Sequence, residues 1–189
     1  MIVLHTRTAV IDLHGLAEGP PYQKIRIPDI AYSLAHQCRF NGHTAQFYSV
    51  AEHSILVHSL AKESFPAPGD AVLRLYALYH DGHEGITGDV ISPVKTKILN
   101  GVLAKLEHDI DQNIWRVLRI PPPSEAIRAL IHEYDLCVAM HEREFAFEDW
   151  QLDKGFSRWP DSRIQFLSPT RARQLFMELT VKELTCLRS

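Results

Sequence analysis

The chain has 189 residues, of which 46% are hydrophobic and 23% are charged, and its formal net charge is −3. This length and composition are ordinary for a globular protein with a sizeable core, and they exclude a chain that is disordered over most of its length. The sequence contains no block of Lys and Arg residues that could bind along a nucleic-acid phosphate backbone, so we expect no nucleic-acid partner. The three cysteines, at 38, 137 and 186, form no CxxC pair, which indicates reduced intracellular thiols.

The first 16 residues contain scattered His and Arg without a sustained apolar run, so we expect no signal peptide. No stretch is long and apolar enough to predict a membrane span. We therefore expect a cytoplasmic protein that has no membrane partner, and we expect it to form a homo-oligomer. Because there is no internal repeat, low-complexity tract or linker, a single domain over residues 1–189 is predicted.

At the N-terminus, residues 2–16 alternate in part and contain several β-branched side chains, which predicts a short β-hairpin within an extension over residues 1–26. The pattern then becomes helical from Pro28, a residue that suits a first helical turn. A second helix is predicted over about 49–64, where Ser49 and Glu52 are spaced as in a capping box. A third is predicted over about 70–81.

Further along, a long helix is predicted over about 96–118, and the triple proline at 121–123 ends it. Ser124 is the predicted N-cap of a helix that reaches about residue 147. Residues 149–167 show no clear period and are predicted to be an ordered loop or lid, and Ser168-Pro169 begins a last amphipathic helix. These elements together predict a mostly α fold with a short N-terminal hairpin.

Eleven histidines are present, and two of them lie on apolar helix faces. His53 is three, four and seven residues before Leu56, Val57 and Leu60, so it is expected to point inward. His58, five residues beyond His53, is rotated away and is expected to meet solvent. A single inward histidine is more often a satisfied core residue than a ligand.

His80 shares a face with Leu73, Tyr76 and Ala77, and Asp81 follows it directly. Asp135 lies on the apolar side of the helix that follows the prolines. Two inward histidines and two inward acids on three helices would satisfy one another around a divalent cation. The alternative is a pair of His–Asp hydrogen bonds without metal, and spacing alone leaves both open.

The local sequence adds a family resemblance. The segment from Tyr79 to Asp89, YHDGHEGITGD, followed by Pro93-Val94-Lys95, resembles the HD-domain phosphohydrolases and especially the bacterial 5′-deoxynucleotidases. Upstream, Arg39-Phe40 and the Val50–Ser54 segment resemble the same family, and Asp135 stands at its last aspartate. The resemblance covers residues 39–135 and implies a single-domain HD-type helical bundle.

A second resemblance concerns the segments 27–31, 37–43 and 47–53, which are similar to small HD phosphohydrolases of phages and bacteria. That group includes the phage dATP triphosphohydrolases. The resemblance to these proteins implies a nucleotide as the small-molecule partner and a divalent metal ion as the cofactor.

By resemblance, the metal ligands are His53, His80, Asp81 and Asp135. This mixed nitrogen and oxygen set suits Zn, Co, Mn or Ni without selecting among them. Four protein ligands leave room for water and a phosphate oxygen when the ion is five- or six-coordinate.

The resemblance also implies roles for residues around the metal. Glu84 is the candidate to orient or deprotonate the attacking water, and Asp89 is a second candidate acid or base. The alternative for both is a carboxylate at a helix end or turn. Arg39 and Lys95 are expected to hold phosphate oxygens, or else to be solvated surface cations. Phe40 is expected either to stack on a base or to pack in the core.

Two histidines are left outside the ligand set. His83 stands where the deoxynucleotidases have a small residue, and it is open to contact with phosphate, a second metal or solvent. His43, in Asn-Gly-His, is expected in a surface turn.

The implied reaction is metal-assisted attack of water on the α-phosphorus of a deoxynucleotide. A deoxynucleoside triphosphate substrate is favoured, with dATP as the candidate that gives deoxyadenosine and tripolyphosphate. The alternatives are a 5′-deoxynucleotidase that acts on monophosphates and a non-catalytic HD sensor that binds nucleotide or metal. A zinc protease is disfavoured because the chain has no HExxH. A di-iron oxygenase would need an extra ligand set that includes His83.

Overall fold

The computed structural model describes residues 3–12, 25–90, 94–99, 102–147, 159 and 162–188. These residues are mostly helical, as predicted. Their elements in chain order are β1 (Val3–His5), β2 (Val10–Asp12), α1 (Ile27–His36), α2 (Val50–Ser64), α3 (Ala71–Leu78), α4 (Glu84–Thr87), α5 (Val102–Leu118), α6 (Glu125–Phe145) and α7 (Pro169–Cys186). Among these helices, none has the length and apolarity needed to cross a bilayer.

The predicted N-terminal hairpin is confirmed, since β1 and β2 pair antiparallel with Leu4 opposite Ile11. Asp29, in the first turn of α1, fixes this hairpin to the helices. Its Oδ2 accepts hydrogen bonds from the hydroxyls of Thr6 and Thr8, both at 2.7 Å. Residues 13–24 of the predicted extension lie outside the described residues.

Three of the predicted N-caps are confirmed by side-chain hydrogen bonds. Ser49, Ser124 and Ser168 each accept from the backbone N–H three residues later, at 3.1 to 3.3 Å. The predicted capping box at Ser49 would also require the Glu52 carboxylate to accept a hydrogen bond from the backbone N–H of Ser49, and this second bond is not formed. The carboxylate of Glu52 accepts instead from the backbone N–H groups of Gln165 and Leu167, both at 2.7 Å, and so fixes a distant segment to the start of α2.

Helix α2 is the central element, because it contacts α1, α3, α6 and α7. Neighbours on several sides bury most of its length, including the side that the helical wheel assigned to solvent. The prediction that His58 meets solvent is therefore wrong: its side chain is buried, and Nε2 lies 3.0 Å from Oε1 of Glu183 on α7.

Two predicted helix boundaries are also wrong. The third helix ends at Leu78, so that His80 and Asp81 lie in the turn before α4. Gly82 allows this turn to pack closely, since a Cβ at this position would lie 2.9 Å from Ile114 Cδ1 on α5. The long helix begins at Val102 rather than near 96, because Val94–Ile98 forms a separate, wider helical turn before Asn100-Gly101 in the sequence.

Most of the predicted loop over 149–167 lies outside the described residues. In its described part, Trp159 and Ile164 are buried, and residues 163–167 lie against α2 through Glu52 and Glu63. His43 is exposed in the turn after Gly42, in agreement with the predicted surface turn.

Candidate metal centre

The structure brings together all four residues of the expected ligand set. His53 projects from α2 and is fully buried, His80 and Asp81 come from the turn after α3, and Asp135 comes from α6. The Nε2 atoms of His53 and His80 are 3.1 Å apart. Asp135 Oδ1 lies 3.1 Å from His53 Nε2, and Asp81 Oδ2 lies 3.2 Å from His80 Nε2. The two remaining His–Asp distances are 3.6 and 3.7 Å.

The second nitrogen of each imidazole shows where its hydrogen resides. Nδ1 of His80 lies 2.9 Å from the carbonyl oxygen of Ala77, which can only accept, so this nitrogen is a donor. Nδ1 of His53 lies 2.6 Å from Oε1 of the Glu142 carboxylate and is a donor for the same reason. In the neutral form of each ring, both Nε2 lone pairs therefore face each other and need a cation or a proton between them.

The spacing of the four groups fits a metal ion. Ligand atoms about 2.1 Å from a common ion are about 3.0 Å apart in octahedral geometry and about 3.4 Å apart in tetrahedral geometry. The five separations that involve a histidine nitrogen, 3.1 to 3.7 Å, are close to both values. His53, His80 and Asp135 thus form a group able to hold a metal ion, with Asp81 beside them.

The carboxylates of the site also change the pKa values of the two histidines when no metal is bound. Burial lowers the pKa of His80, but the carboxylates of Asp81 and Asp135 outweigh burial and raise it well above the usual value. Burial and the Arg39 guanidinium lower the pKa of His53, and the Glu142 and Asp135 carboxylates again produce a net increase. Metal-free imidazoles in this site therefore tend to hold protons that a cation would replace.

Glu142 on α6 is a site residue that the sequence analysis missed. Its fully buried carboxylate accepts from Nδ1 of His53, from the Tyr48 hydroxyl at 2.6 Å, and from Nη2 of Arg39 at 2.8 Å. Burial alone would raise the pKa of Glu142, but the charges of Arg39 and His53 lower it to about 2. An ionised carboxylate behind a ligating histidine fixes the tautomer and the orientation of the ring.

Arg39 lies beside the metal ligands and not on the open surface. One guanidinium nitrogen bonds Glu142, Nη1 lies 3.8 Å from Asp81, and the buried Nε has no hydrogen-bond partner among the described residues. The following residues, Phe40 and Asn41, adopt left-handed backbone angles with φ of 53° and 52°. The half-buried Phe40 ring packs edge-on against Phe147 at 5.0 Å.

Glu84 and Lys95 form an ion pair close to Asp81. Nζ of Lys95 lies 3.5 Å from Oε1 of Glu84 and 2.9 Å from Oε1 of Glu107 on α5. Burial and the charges of Asp81 and Asp89 raise the pKa of Glu84 to about 8. Burial also raises the pKa of Asp89, against the charge of Arg39. The charges of Glu84, Asp89 and Lys95 therefore act on one another beside Asp81.

His83 points away from the first group and toward α5. Its Nδ1 lies 3.1 Å from Asp111 Oδ1, and its Nε2 lies 3.6 Å from Glu107 Oε1. Asp81, His83 and Glu84 form a second group whose ligand atoms lie within 4.8 Å of one another.

A cavity of about 270 Å³ opens beside the ligands, between α3, α5 and α6. His80, Asp81 and Asp135 form part of its wall, together with apolar and aromatic side chains such as Trp115 and Ile131. Its volume is near the lower end of the range for small-molecule sites, roughly 300 to 1,000 Å³. A small ligand bound at the centre could extend into this cavity.

No family model matches the sequence. The sequence is similar to an uncharacterized protein of Rhodobacter capsulatus, with 46% identity over 84 residues, which are 43% of this chain and 42% of that protein. The chain thus matches about two fifths of the length of that relative. It is also similar to the uncharacterized protein YfdR of Escherichia coli K12, with 30% identity over 158 residues and 82% of each chain. Neither relative's name states an activity, but the extent of the second match shows that this chain belongs to the same family as YfdR.

Proposed function

We propose that the protein is a metal-dependent phosphohydrolase of the HD type that cleaves the 5′-phosphate end of deoxynucleotides, with a deoxynucleoside triphosphate as the favoured substrate. One observation carries the proposal: a buried imidazole and a half-buried one, both with fixed tautomers, direct Nε2 atoms at each other over 3.1 Å, between two carboxylates. Such an arrangement suits a divalent cation, which when bound would lower the pKa of a water molecule and polarise a phosphoryl oxygen.

The cations around the centre fit a phosphate group. Arg39 is held by Glu142, and its Nη1 atom lies 3.8 Å from Asp81, which places a positive charge beside the centre where a phosphate oxygen would bind. The ammonium of Lys95 contacts Glu84 and Glu107, and Glu84 belongs to the same group of side chains as Asp81. A phosphate located between Arg39 and Lys95 would receive donors from two directions, and such charge-assisted bonds are strong.

Two carboxyl groups are suited to the proton transfers. The pKa of Glu84, about 8 because of burial and neighbouring charges, lets its carboxyl group accept or release a proton near neutral pH. In the proposed reaction Glu84 takes a proton from the attacking water, and Asp89 gives a proton to the 5′-oxygen as the bond from phosphorus to that oxygen breaks. A triphosphate would give nucleoside and tripolyphosphate, whereas a monophosphate would give nucleoside and phosphate.

The substrate panel that tests the proposal contains dAMP, dATP and the corresponding nucleotides of the other bases, with Mn²⁺ or Co²⁺ added. Chromatography would identify nucleoside, phosphate and tripolyphosphate. We expect tripolyphosphate and deoxyadenosine from dATP, and no turnover by the Asp135→Asn variant. Phosphate from dAMP alone would reject the triphosphohydrolase in favour of the 5′-deoxynucleotidase. Binding of nucleotide without turnover of any substrate would favour the non-catalytic sensor and reject the enzyme.

A further inference from the structure

A second set of metal-binding side chains lies directly beside the first and shares Asp81 with it. One ligand atom from each of Asp81, His83 and Glu84 lies within 4.8 Å of the other two. From α5, Glu107 brings Oε1 to 3.6 Å from His83 Nε2. Atoms that bind one ion at about 2.1 Å are about 3.0 Å apart when they are adjacent and about 4.2 Å apart when they are opposite, and the 3.6 Å between His83 and Glu107 lies within this range.

Two buried atoms in this set have no hydrogen-bond partner within the part of the chain that the structure describes. They are Nε2 of His83 and Oε2 of Glu84, whose residues are 8% and 4% exposed. Asp111 accepts from Nδ1 of His83, which leaves the lone pair on Nε2. A buried lone pair and a buried carboxylate oxygen without partners are costly unless a cation or water occupies the space between them.

The contacts of the nearby ammonium leave one carboxylate oxygen of the second set uncovered. Asp81, Glu84, Glu107 and Asp111 contribute four acidic groups, and Lys95 is the ammonium that contacts two of them. Its Nζ lies at the Oε1 atoms of Glu84 and Glu107, and not at Oε2 of Glu84. A divalent ion would add positive charge at this oxygen of Glu84, which is buried and has no hydrogen-bond partner among the described residues.

We propose that His83 and Glu84, with Asp81 as a bridging carboxylate and Glu107 as an additional ligand, bind a second divalent ion next to the first. An imidazole together with carboxylates favours Mn, Co or Zn over Mg, which prefers oxygen ligands and water. The second site goes beyond the proposed function, because its occupancy can be counted whether or not the protein hydrolyses a phosphate ester. Glu84 would bind the ion through Oε2 and keep Oε1 for the proton of the attacking water.

Counting bound ions at equilibrium tests this site. Metal-free protein is dialysed against Mn²⁺ up to saturation, and bound Mn²⁺ is measured per chain. We expect two ions in the wild type and one in the His83→Gln variant. The control variant His36→Gln, which replaces an exposed histidine on α1, should retain two. An exchange-coupled Mn²⁺ signal in electron paramagnetic resonance would report the bridge through Asp81, and His83→Gln should abolish it.

A second variant makes the test independent of whether His83→Gln folds. Lys95→Met removes the competing ammonium, and we expect it to tighten binding of the second ion several-fold. If the saturated wild type binds one ion per chain, or if Lys95→Met binds the second ion more weakly, the proposed second site is rejected. The proposed function fails separately: two bound ions without nucleotide hydrolysis would reject the enzyme, and one bound ion with hydrolysis would reject the second site alone.

Discussion

Nδ1 of His53 donates a hydrogen bond to Oε1 of Glu142 over 2.6 Å, and the side chains of both residues are fully buried. The bond crosses from α2 to α6, the two helices that also provide ligand atoms to the metal centre. Because the acceptor is an ionised carboxylate, it keeps the hydrogen on Nδ1 and directs the Nε2 lone pair at the site.

The first prediction concerns this bond. Glu142→Gln removes the charge while it keeps the shape, and we expect metal affinity to fall by roughly 10- to 100-fold, the usual effect of losing such a carboxylate. Competition with a chelator would measure the loss. Glu133→Gln is a matched control, since Glu133 is exposed on the same helix. Equal affinities in the two variants would contradict the assigned role of Glu142.

Glu142 also shows what could be predicted from the sequence. It follows Asp135 by seven residues, so two helical turns place the two acids on the same face. The sequence shows this spacing. It does not identify Glu142 as a site residue, because that requires knowing that Arg39 and Tyr48 contact its carboxylate. Those partners come from the segment before α2, and no local pattern predicts their approach.

His53 and His58 also show how far burial can be predicted from the sequence of a single helix. The wheel placed His53 inward because its neighbours at three, four and seven residues are apolar, and this prediction is confirmed. It placed His58 in solvent because it assumed one buried face. Helix α2 has neighbours on several sides, and the burial of His58 depends on α7, which lies more than a hundred residues later in the chain.

The second prediction compares two carboxylates of α2 that hold the same distant segment. Glu52 is buried and accepts two backbone N–H bonds at 2.7 Å, from Gln165 and Leu167. We expect Glu52→Ala to lower the free energy of unfolding by about 3 kcal/mol or more, because two donors lose a charged acceptor. Glu63→Ala removes a pair with Arg163 whose side chains are 39% and 45% exposed, together with a long hydrogen bond of 3.4 Å from Trp159 Nε1, and should cost less, about 1 to 2 kcal/mol. Urea denaturation of both variants would test the difference, and similar losses would refute it.

The third prediction concerns Asp89. If its carboxyl group gives a proton to the leaving oxygen, Asp89→Asn should lower kcat by roughly 10²- to 10⁴-fold. The number of bound metal ions should not change, because Asp89 belongs to neither group of ligands. Steady-state kinetics on the substrate that the panel identifies, together with metal counting, would separate the two effects. A variant with normal kcat would make Asp89 a structural turn residue.

The fourth prediction follows from the burial of His58. Burial lowers the pKa of this histidine in the folded protein, against the opposing effect of Glu183. When pH falls below the unfolded value of about 6.5, the unfolded chain binds a proton that the folded chain does not. The wild type should therefore lose stability relative to His58→Gln as pH decreases from 7.5 to 5.5. Urea unfolding of both proteins across this range would measure the difference, and a constant or increasing advantage of the wild type would contradict it.

The fifth prediction links protons to the metal. The carboxylates around His53 and His80 raise the pKa values of both imidazoles above normal in spite of burial, so the metal-free protein holds protons where ligand lone pairs are needed. A metal ion must displace these protons, and we expect about one or more to be released per ion at pH 7. Calorimetric titration with Mn²⁺ in two buffers of different ionisation enthalpy would count them.

The affinity for the metal should also fall as pH decreases, since protons then compete more strongly for the same nitrogen atoms. Asp135→Asn removes one of the carboxylates that retain these protons, so it should release fewer of them with whatever metal it still binds. A binding enthalpy that is identical in both buffers would mean that the metal-free imidazoles do not hold these protons at pH 7.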